Sequence, residues 1–359
     1  MIKLNINLGE RSYPIYITSE YGSLEKSFKS ARISGKVGLV TDTNVDKCQS
    51  EECINALKDA GLNVHKFVIE AGEKSKNLGT INDIYKFLVE NKFDRNSSLV
   101  ALGGGVVGDI TGFAAATFLR GINFIQIPTS LLAQADSSVG GKVGVDFEGN
   151  KNLIGAFYQP RFVYMNVNSL KTLPIRELRA GLAEIIKHGI IRDADFYEYI
   201  DYNIKKIFNF DEYTLQYMAK INCSIKGAVV EQDEKESDLR AILNFGHTIG
   251  HAIESAYGFE YLHGECVSLG MVAAFKMAHY LEMVNQDSVN TIKNTLTEIG
   301  LPVKLERIDV EKIYEHLLYD KKIRSDKILF ILPKGIGEVV QCVIDDVELI
   351  KRVIGDMAE

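Results

Sequence analysis

Cysteine is scarce in this sequence, and the few cysteines are placed in a way that excludes a disulfide framework. There are five of them, an odd number, scattered along the chain and never forming a CxxC pair. Such usage is typical of reduced, intracellular proteins. The N-terminus also lacks the basic segment and apolar core of a signal peptide. We therefore expect a cytoplasmic protein.

Long hydrophobic runs and an excess of positive charge are absent as well. The longest apolar region, residues 98–118, is interrupted by glycines and by Asp109, so it does not predict a membrane span. The net charge of -7 argues against nucleic acid as a partner, because a phosphate backbone needs a basic protein face. A small anionic substrate, held in a local basic pocket, is compatible with that charge.

The chain of 359 residues is long enough for two domains, each with its own hydrophobic core. In the first ~170 residues, short β-branched runs alternate with helix-like segments, which is typical of βαβ units around a parallel sheet. The predicted strands are Lys3–Leu8, Tyr13–Thr18, Val37–Thr41, Val64–Ile69, Ser98–Leu102, Asn123–Ile127 and Arg161–Val167.

After Pro174 the pattern becomes mainly helical. The predicted helices are Ile175–Ile191, Asp211–Glu231, Leu239–Tyr257, Gly264–Met283, Ser288–Ile299 and Val310–Leu318, with a short strand at Leu329–Leu332. We therefore predict an α/β domain over residues 1–173 and a mainly α-helical domain over residues 174–359, with the active site in a cleft between them.

The stretch from Ile242 to Glu254 carries the densest chemical signal. It has no proline and has apolar residues at helical intervals, so it predicts a helix. His247 and His251, four residues apart, would lie on one face of that helix, and His263 follows. Two histidines at this spacing are typical of a zinc site, which would need one more ligand from elsewhere, such as a carboxylate. Two buried histidines that bind no metal are the alternative.

Residues 103–108, GGGVVG, follow a predicted strand and precede a helix of small residues. They satisfy GxGxxG, in which glycines let the backbone approach a pyrophosphate at a helix N-terminus. However, the strand is not the first, and no acidic residue follows about 20 positions later. Asp42, Asn44, Glu73 and Lys76, after two earlier strands, are therefore the candidates for binding the ribose. A tight turn whose glycines serve packing alone is the alternative.

Several charged residues lie in segments that are otherwise small and apolar. Lys142 and Lys151 have glycine or asparagine neighbours, so we expect them to face a site where an ammonium binds phosphate, although solvated lysines are the common alternative. Glu184 lies among apolar residues, as a buried metal-binding carboxylate would, with Lys187 on the same helix face. Three further polar residues precede the histidines and are close to them in sequence: Lys226, Arg240 and Asn244. Together these residues predict a small, phosphorylated, anionic substrate.

These segments together resemble the 3-dehydroquinate synthase family along nearly the whole chain. The matching motifs are GGGVVGD from residue 103, LLAQADSSVGGK from 131, NKNLIGAFYQP from 150, RAGLAEIIKHG from 179, LNFGHTIGHAIE from 243 and HGECVSLGM from 263. The resemblance implies a Rossmann-like domain that binds NAD, a mainly helical second domain, and a zinc or cobalt ion in the cleft.

The resemblance also implies a role for each matching residue. The metal ligands are Glu184, His247 and His263, so that His251 faces the substrate and handles protons, contrary to the spacing argument. The catalytic positions are His251, Lys142, Asp136, Lys187 and Asn244. The substrate-binding positions are Arg120, Lys151, Asn152, Lys226, Arg240 and one of Lys321 and Lys322, with Lys322 preferred.

The implied NAD contacts lie in the α/β domain. They are Asp42, Asn44, Glu73, Lys76, Gly105, Val106, Val107, Gly108, Asp109, Thr129 and Ser130, together with Lys142 and Lys151. Arg120 matches an arginine that reaches the phosphate site of a neighbouring subunit, which implies a homodimer.

The implied activity is that of a carbon–oxygen lyase of the shikimate pathway, which leads to chorismate and the aromatic amino acids. Its substrate is 3-deoxy-D-arabino-heptulosonate 7-phosphate, its product is 3-dehydroquinate, and NAD is regenerated in each turnover. Three alternatives compete: a related sugar phosphate cyclase, a metal-dependent polyol dehydrogenase, and an inactive nucleotide-binding protein. The joint presence of Lys226, Arg240, Asn244 and His251 argues against the first. Lys142, Lys151 and Asn152, which would bind a phosphate, argue against the second. The presence of all three metal ligands, Glu184, His247 and His263, argues against the third.

Overall fold

The structure is a computed structural model that describes residues 1–235, 239–258, 260–320 and 327–358. These residues form two compact units. The first comprises Met1–Pro174 and Asn209–Lys235, and the second comprises Ile175–Phe208 and the described residues after 238. The division into domains 1–173 and 174–359 stays a prediction.

The chain alternates strands and helices in its first half and is mainly helical afterwards. The strands are β1 Ile2–Ile6, β2 Tyr13–Thr18, β3 Lys36–Asp42, β4 Asn63–Ile69, β5 Ser98–Gly103, β6 Asn123–Pro128, β7 Lys142–Phe147, β8 Asn150–Phe157, β9 Phe162–Asn166, β10 Ile328–Gly335 and β11 Glu338–Ile344. The helices are α1 Leu24–Ser30, α2 Thr43–Asp46, α3 Ser50–Asp59, α4 Leu78–Glu90, α5 Gly105–Thr117, α6 Ile175–Arg192, α7 Ala194–Phe208, α8 Glu212–Gln232, α9 His247–Ala256, α10 His263–Tyr280, α11 Gln286–Ile299, α12 Val310–Asp320 and α13 Val347–Gly355.

The first unit is built on a seven-stranded sheet with the order β1-β2-β9-β6-β5-β3-β4. Only β1 and β2 pair in antiparallel fashion, and the other neighbours are parallel. All seven strands predicted from the sequence are present in this sheet. The predicted α/β class is therefore confirmed, and the helix-like segments between the strands supply the crossovers that parallel pairing requires.

Strand β5 shows why its sequence is a continuous apolar run. Leu99 and Ala101 pack on one side of the sheet with Ile84 of α4 and Ile110 of α5. Val100 and its alternate neighbours pack on the other side with residues of α1 and α3. Because successive side chains of a strand point to opposite faces, a strand buried on both faces is apolar throughout. This central strand carries the glycine loop at its carboxyl end.

The second unit is mainly helical and also contains the antiparallel hairpin β10–β11. Among the described residues, no helix combines the length and apolar character that crossing a bilayer requires.

The prediction of one helix from Leu239 to Tyr257 is wrong. Residues Leu239–Asn244 form a 3₁₀ turn, and α9 begins only at His247. The two are separated by Gly246, whose φ of 77° is left-handed. A Cβ atom on Gly246 would lie 2.9 Å from Cγ of Met271 in α10, so the neighbouring helix leaves no room for a side chain there. Apolar periodicity continues across this break and does not reveal it.

Candidate active site

Three helices of the second unit bring together the residues expected to bind a metal. Glu184 lies in the middle of α6, while His247 and His263 are the first residues of α9 and α10. One ligand atom from each of these side chains lies within 4.8 Å of the other two. Glu184 is fully buried and the two histidines are partly buried.

The spacing between these helices is set by glycines at which backbones touch. A Cβ atom on Gly264 would lie 2.0 Å from the carbonyl oxygen of Ala180 in α6, and one on Gly270 would lie 1.7 Å from the carbonyl oxygen of Gly246. His263 immediately precedes Gly264, and Glu184 is one helical turn after Ala180. The close approach of α10 to α6 therefore places His263 beside Glu184.

The imidazoles point their Nε2 atoms at the carboxylate. Oε1 of Glu184 lies 3.1 Å from Nε2 of His263 and 3.4 Å from Nε2 of His247. Nδ1 of His247 lies 3.0 Å from the carbonyl oxygen of Phe245. That contact assigns the ring proton to Nδ1, because a carbonyl only accepts, and it leaves the Nε2 lone pair facing Glu184.

The cluster keeps its carboxylate ionised in spite of burial. Burial raises the pKa of Glu184, but the ion pair with Lys187 and the proximity of His247 hold this pKa well below its usual value. Burial lowers the pKa of His247 to about 4, so this imidazole is neutral. Burial opposes protonation of His263 too, yet Glu184 and Glu254 raise its pKa to about 9. The electrostatics therefore favour a positive charge at the His263 position.

His251 belongs to a second grouping of ligand atoms, with Glu254 and His263. Its ring centroid lies 5.1 Å from that of His247 and 5.9 Å from that of His263. The spacing argument, which paired His247 with His251 as ligands, does not account for this separation into two groups. Glu254 was not predicted at all, although it lies seven residues after His247 and therefore on the same helical face.

The other predicted residues of this unit differ in exposure. Lys187 is buried and paired with Glu184, and Arg240, in the 3₁₀ turn before the break, is also buried, at 3% exposure. Asn244 ends that turn and is exposed. Lys321 and Lys322 lie outside the described residues.

In the first unit, the predicted cofactor residues gather at one edge of the sheet. Strands β6, β5, β3 and β4 are parallel neighbours, so their carboxyl ends lie side by side. The residues that end or follow these strands are Asp42 for β3, Glu73 and Lys76 for β4, Gly105 to Asp109 for β5, and Thr129 and Ser130 for β6. Because β4 and β5 lie on opposite sides of β3, the strand order reverses between β3 and β5. Ligands of open α/β sheets bind at such a reversal.

The glycine loop leaves the N-terminus of α5 without a side-chain cap. Gly104 occupies the cap position, and no described side chain accepts a hydrogen bond there. Two hydroxyls border the loop, since a Cβ atom on Gly104 would lie 3.4 Å from Oγ of Ser130 and one on Gly105 would lie 3.2 Å from Oγ of Ser137. Uncapped amides at the start of a helix attract anions.

Asp42 already has a local structural role. Its Oδ1 accepts hydrogen bonds from the backbone amides of Asn44 and Val45, at 2.8 and 3.0 Å, and so caps α2. The same carboxylate was predicted to bind a ribose. Oδ1 of Asp42 therefore holds the start of α2, and these two hydrogen bonds determine the direction of the Asp42 carboxylate.

Lys76 joins the glycine-loop helix to the β7–β8 hairpin. Its Nζ lies 2.6 Å from Oδ2 of Asp109 and 2.5 Å from Oδ1 of Asn152. Burial opposes the charge of Lys76, but Asp109 raises its pKa above the usual value. Burial raises the pKa of Asp109 to about 6, against the attraction of Lys76. Asn152, whose φ is 55°, also donates its backbone N–H to Asp146 at 2.7 Å. No local sequence pattern indicates that these side chains contact one another.

Asp136 and Lys226 form a second ion pair in the first unit. Nζ of Lys226 lies 2.6 Å from Oδ1 of Asp136 and also donates to its carbonyl oxygen. Asp136 lies in a single π-helical turn, Ala133–Ser137, a conformation often found at functional sites. Lys226 lies in α8, which the structure groups with the α/β unit. The sequence prediction includes this residue in the helical domain 174–359.

The remaining predicted cations of the first unit are exposed. Lys142 is the first residue of β7 and Lys151 lies in β8, so a hairpin carries both. Arg120 follows Leu119, and their φ values of 67° and 50° are strained for residues other than glycine. Such strain is retained mostly where function requires it.

The comparisons with known proteins agree along the whole chain. Family models described as the N-terminal and C-terminal parts of 3-dehydroquinate synthase match residues 66–180 and 181–323. A 3-dehydroquinate synthase from Acetivibrio thermocellus is 68% identical over 360 residues, covering 100% of both chains. A 2-deoxy-scyllo-inosose synthase, solved with carbaglucose-6-phosphate, NAD+ and Co2+, superposes with a TM-score of 0.91 at 26% identity, covering 99% of this chain and 100% of that one. The 2-epi-5-epi-valiolone synthase of Streptomyces hygroscopicus, solved with NAD+ and Zn2+, gives 0.88 at 25% identity and 98% coverage of both.

The fold is the one found in sugar phosphate cyclases, and the Glu–His–His cluster is a possible metal site within it. The two family models and the 68% identity over the full length then identify one family among these cyclases. The chain belongs to the 3-dehydroquinate synthase family. The alternatives of a different cyclase or a polyol dehydrogenase are not favoured.

Proposed function

We propose that this enzyme converts 3-deoxy-D-arabino-heptulosonate 7-phosphate into 3-dehydroquinate and phosphate, as a carbon–oxygen lyase of the shikimate pathway. The observation that carries the proposal is the 68% identity to a 3-dehydroquinate synthase over the complete chain. The Glu184–His247–His263 cluster supports it, because one ligand atom from each of these side chains lies within 4.8 Å of the others, as a metal site requires.

The donor set fits a divalent metal ion such as zinc or cobalt. A tetrahedral site with metal–ligand distances of about 2.1 Å separates its ligand atoms by about 3.4 Å. Oε1 of Glu184 lies 3.1 Å from Nε2 of His263 and 3.4 Å from Nε2 of His247, which is close to this separation. Three protein ligands leave a position for substrate, where a bound zinc ion would acidify a substrate hydroxyl. His251 would then face the substrate and handle protons.

NAD is the proposed cofactor of the first unit, with its pyrophosphate at the N-terminus of α5. The uncapped amides after Gly104 and the hydroxyl of Ser130 support this position. Bound NAD would accept a hydride from the substrate alcohol and return it later in the same turnover, so that no NADH accumulates. Asp42, capped into place, would bind the ribose, and Lys76 would hold Asp109 close to the loop.

The substrate's anionic groups are assigned to the cations of each unit. Lys142, Lys151 and Asn152 would bind the phosphate, since ammonium groups and an amide suit its oxygens. Arg240, whose planar guanidinium can bind a carboxylate through two hydrogen bonds, would hold the carboxylate together with Lys226. The Asp136 carboxylate beside Lys226 would balance that charge in the absence of substrate.

A homodimer in the cytoplasm is the proposed state of the protein. Arg120 supports it, because this residue is exposed on a strained backbone and matches an arginine that reaches a neighbouring subunit. Sedimentation equilibrium would test the dimer. A mixture of inactive Arg120→Ala chains with chains inactivated at Lys142 would regain activity if the arginine acts across the interface.

The activity is tested by incubating the purified protein with the heptulosonate phosphate, a trace of NAD and zinc. Phosphate released in large excess over NAD, with dehydroquinate formed and no NADH accumulating, is the expected result. NADH accumulating without phosphate would instead establish a dehydrogenase. Phosphate released only from a sugar phosphate that lacks the carboxylate would establish a different cyclase.

A further inference from the structure

The turn that precedes Lys142 is enclosed by side chains that no proposed role explains. Gly140 and Gly141 have φ values of 110° and 67°, which favour glycine, and both are buried. The N–H of Gly140 donates to the hydroxyl of Tyr13 at 3.2 Å. The carbonyl oxygen of Gly141 accepts from the backbone N–H of Tyr158 at 2.7 Å. The turn is therefore fixed from β2 and from the end of β8.

Gln159 covers the remaining side of this turn. A Cβ atom on Gly141 would lie 2.5 to 2.6 Å from Cδ, Nε2 and Oε1 of Gln159, so the amide lies flat against the Gly141 backbone. Nε2 of Gln159 also reaches the carbonyl oxygen of Gly140 at 3.4 Å. The amide therefore occupies the space that a side chain at Gly141 would need, and it contacts the backbone of both glycines of the turn.

The amide is held in turn by an ion pair. Nε2 of Gln159 donates to Oε1 of Glu234 at 3.0 Å. Arg11 donates to the same carboxylate from two of its three guanidinium nitrogens, Nε to Oε1 at 3.2 Å and Nη2 to Oε2 at 2.5 Å. The hydrogen bond with Arg11 is the main cause that lowers the pKa of Glu234. A carboxylate that stays ionised can only accept, which fixes the amide with its nitrogen towards Glu234.

We propose that Gln159, oriented by Glu234, is a positioning residue that sets the direction of Lys142 by holding the Gly140–Gly141 turn. This inference rests on the proposed role of Lys142 in binding the substrate phosphate. A cation displaced by about 1 Å from its productive place can cost about a hundredfold in rate. Loss of one hydrogen-bonded support costs less, and we expect an effect of about tenfold on kcat/KM.

A double-mutant cycle between Gln159→Leu and Lys142→Ala tests the proposal. In the native background, Gln159→Leu should lower kcat/KM about tenfold through KM for the sugar phosphate. In the Lys142→Ala background the same change should have less than a twofold effect, because the group it positions is gone. A purely structural role would give the same factor in both backgrounds and would overturn the proposal.

The exchange Gln159→Glu with Glu234→Gln supplies a rescue, since it reverses donor and acceptor and restores the hydrogen bond. It should recover part of the activity that Gln159→Glu alone loses, because the contact of the amide with the Gly140 carbonyl is not restored, and failure to recover any would contradict the proposal. Thr295→Val, which removes buried hydrogen bonds to Tyr197 and Asp201 in the second unit, controls for lost stability and should show no coupling to Lys142. If Lys142→Ala alone leaves kcat/KM unchanged, the phosphate assignment of Lys142 fails and this proposal with it; a full Lys142→Ala defect without coupling overturns only the proposal.

Discussion

The Glu184–Lys187 pair of the second unit lies on a helix that packs closely against its neighbour, whereas Lys142 and Lys151 of the first unit lie on a hairpin. Glu184 and Lys187 are 0% and 2% exposed and pair with each other in a dry environment. Lys142 and Lys151 are exposed, and their directions depend on a glycine turn and a hairpin. The difference suits the two tasks: a metal site needs fixed donors in a rigid shell, while an arriving phosphate needs accessible cations. Substitutions of Glu184 or Lys187 should therefore reduce stability and activity together, and those of the exposed lysines Lys142 and Lys151 should reduce activity alone.

The largest effect is expected for Glu184→Gln. The change leaves the buried Lys187 ammonium without its carboxylate, and removing one partner of a buried pair costs about 3–5 kcal/mol of unfolding free energy. Activity should fall by about a thousandfold or more, because the metal ion that would acidify the substrate hydroxyl is lost with its ligand. Denaturant unfolding and phosphate release measure the two effects. Glu338→Gln, in the exposed pair with Lys334, is the control and should change neither. Native stability in Glu184→Gln would contradict the account.

Gly264→Ala should be nearly as damaging. The added Cβ atom would lie 2.0 Å from the carbonyl oxygen of Ala180, so α10 must move away from α6. Overpacking of this kind costs about 3 kcal/mol, and it would also separate His263 from Glu184. Gly335→Ala, at a position with nothing within 4 Å of the new atom, is the matched control. Equal thermal stability of the two variants would show that the helices are not held at this contact.

A smaller effect is expected for Glu254→Gln. Oε2 of Glu254 lies 3.8 Å from Nδ1 of His263 and supports the ring that would bind the metal. Loss of such an outer carboxylate lowers metal affinity by about 10- to 100-fold. Competition with a chromophoric chelator measures the affinity. Asp201→Asn, whose side chain accepts from Thr295, should leave it unchanged. Unaltered affinity in Glu254→Gln would mean that His263 is oriented by other contacts.

The smallest effect concerns pH and the sheet edge. The pKa of Asp109 is about 6 in the folded chain, above its ordinary value of 3.8. As pH rises from about 4 to 6, the unfolded chain loses this proton while the folded chain retains it, so folding is progressively disfavoured. The native protein should therefore lose thermal stability relative to Asp109→Asn across this interval, with no further change above it. A constant difference between pH 4 and 7 would show that Asp109 titrates normally.

The sequence reveals the sheet better than the sites. All seven strands of the sheet follow from β-branched runs between turns, and Glu184 is marked by its apolar neighbours. The break at Gly246 is not visible to periodicity, because it is enforced by α10 from 20 or more positions away in sequence. Helices α7 and α13 and the hairpins β7–β8 and β10–β11 were not predicted as such. The hairpin β7–β8 has a glycine in each strand, and glycines within a short segment predict a loop rather than a strand.

Pairings between distant residues are the part that no local pattern contains. Lys76 with Asp109 and Asn152, and Gln159 with Glu234, join residues more than 30 positions apart. Each residue alone is compatible with a solvated surface position. Only the parallel order of the strands and the path of α8 bring them together. The family resemblance supplied roles for several of these residues but not for their supporting partners.

The most direct test of the metal assignment is a titration of the metal-free protein with zinc, followed by calorimetry. The native chain should bind one ion, and thermal stability should rise with it. His247→Ala should abolish this binding, whereas His251→Ala should retain one ion per chain while losing activity. Binding that survives His247→Ala but disappears in His251→Ala would place the metal with Glu254 instead, and would contradict the assignment of Glu184, His247 and His263.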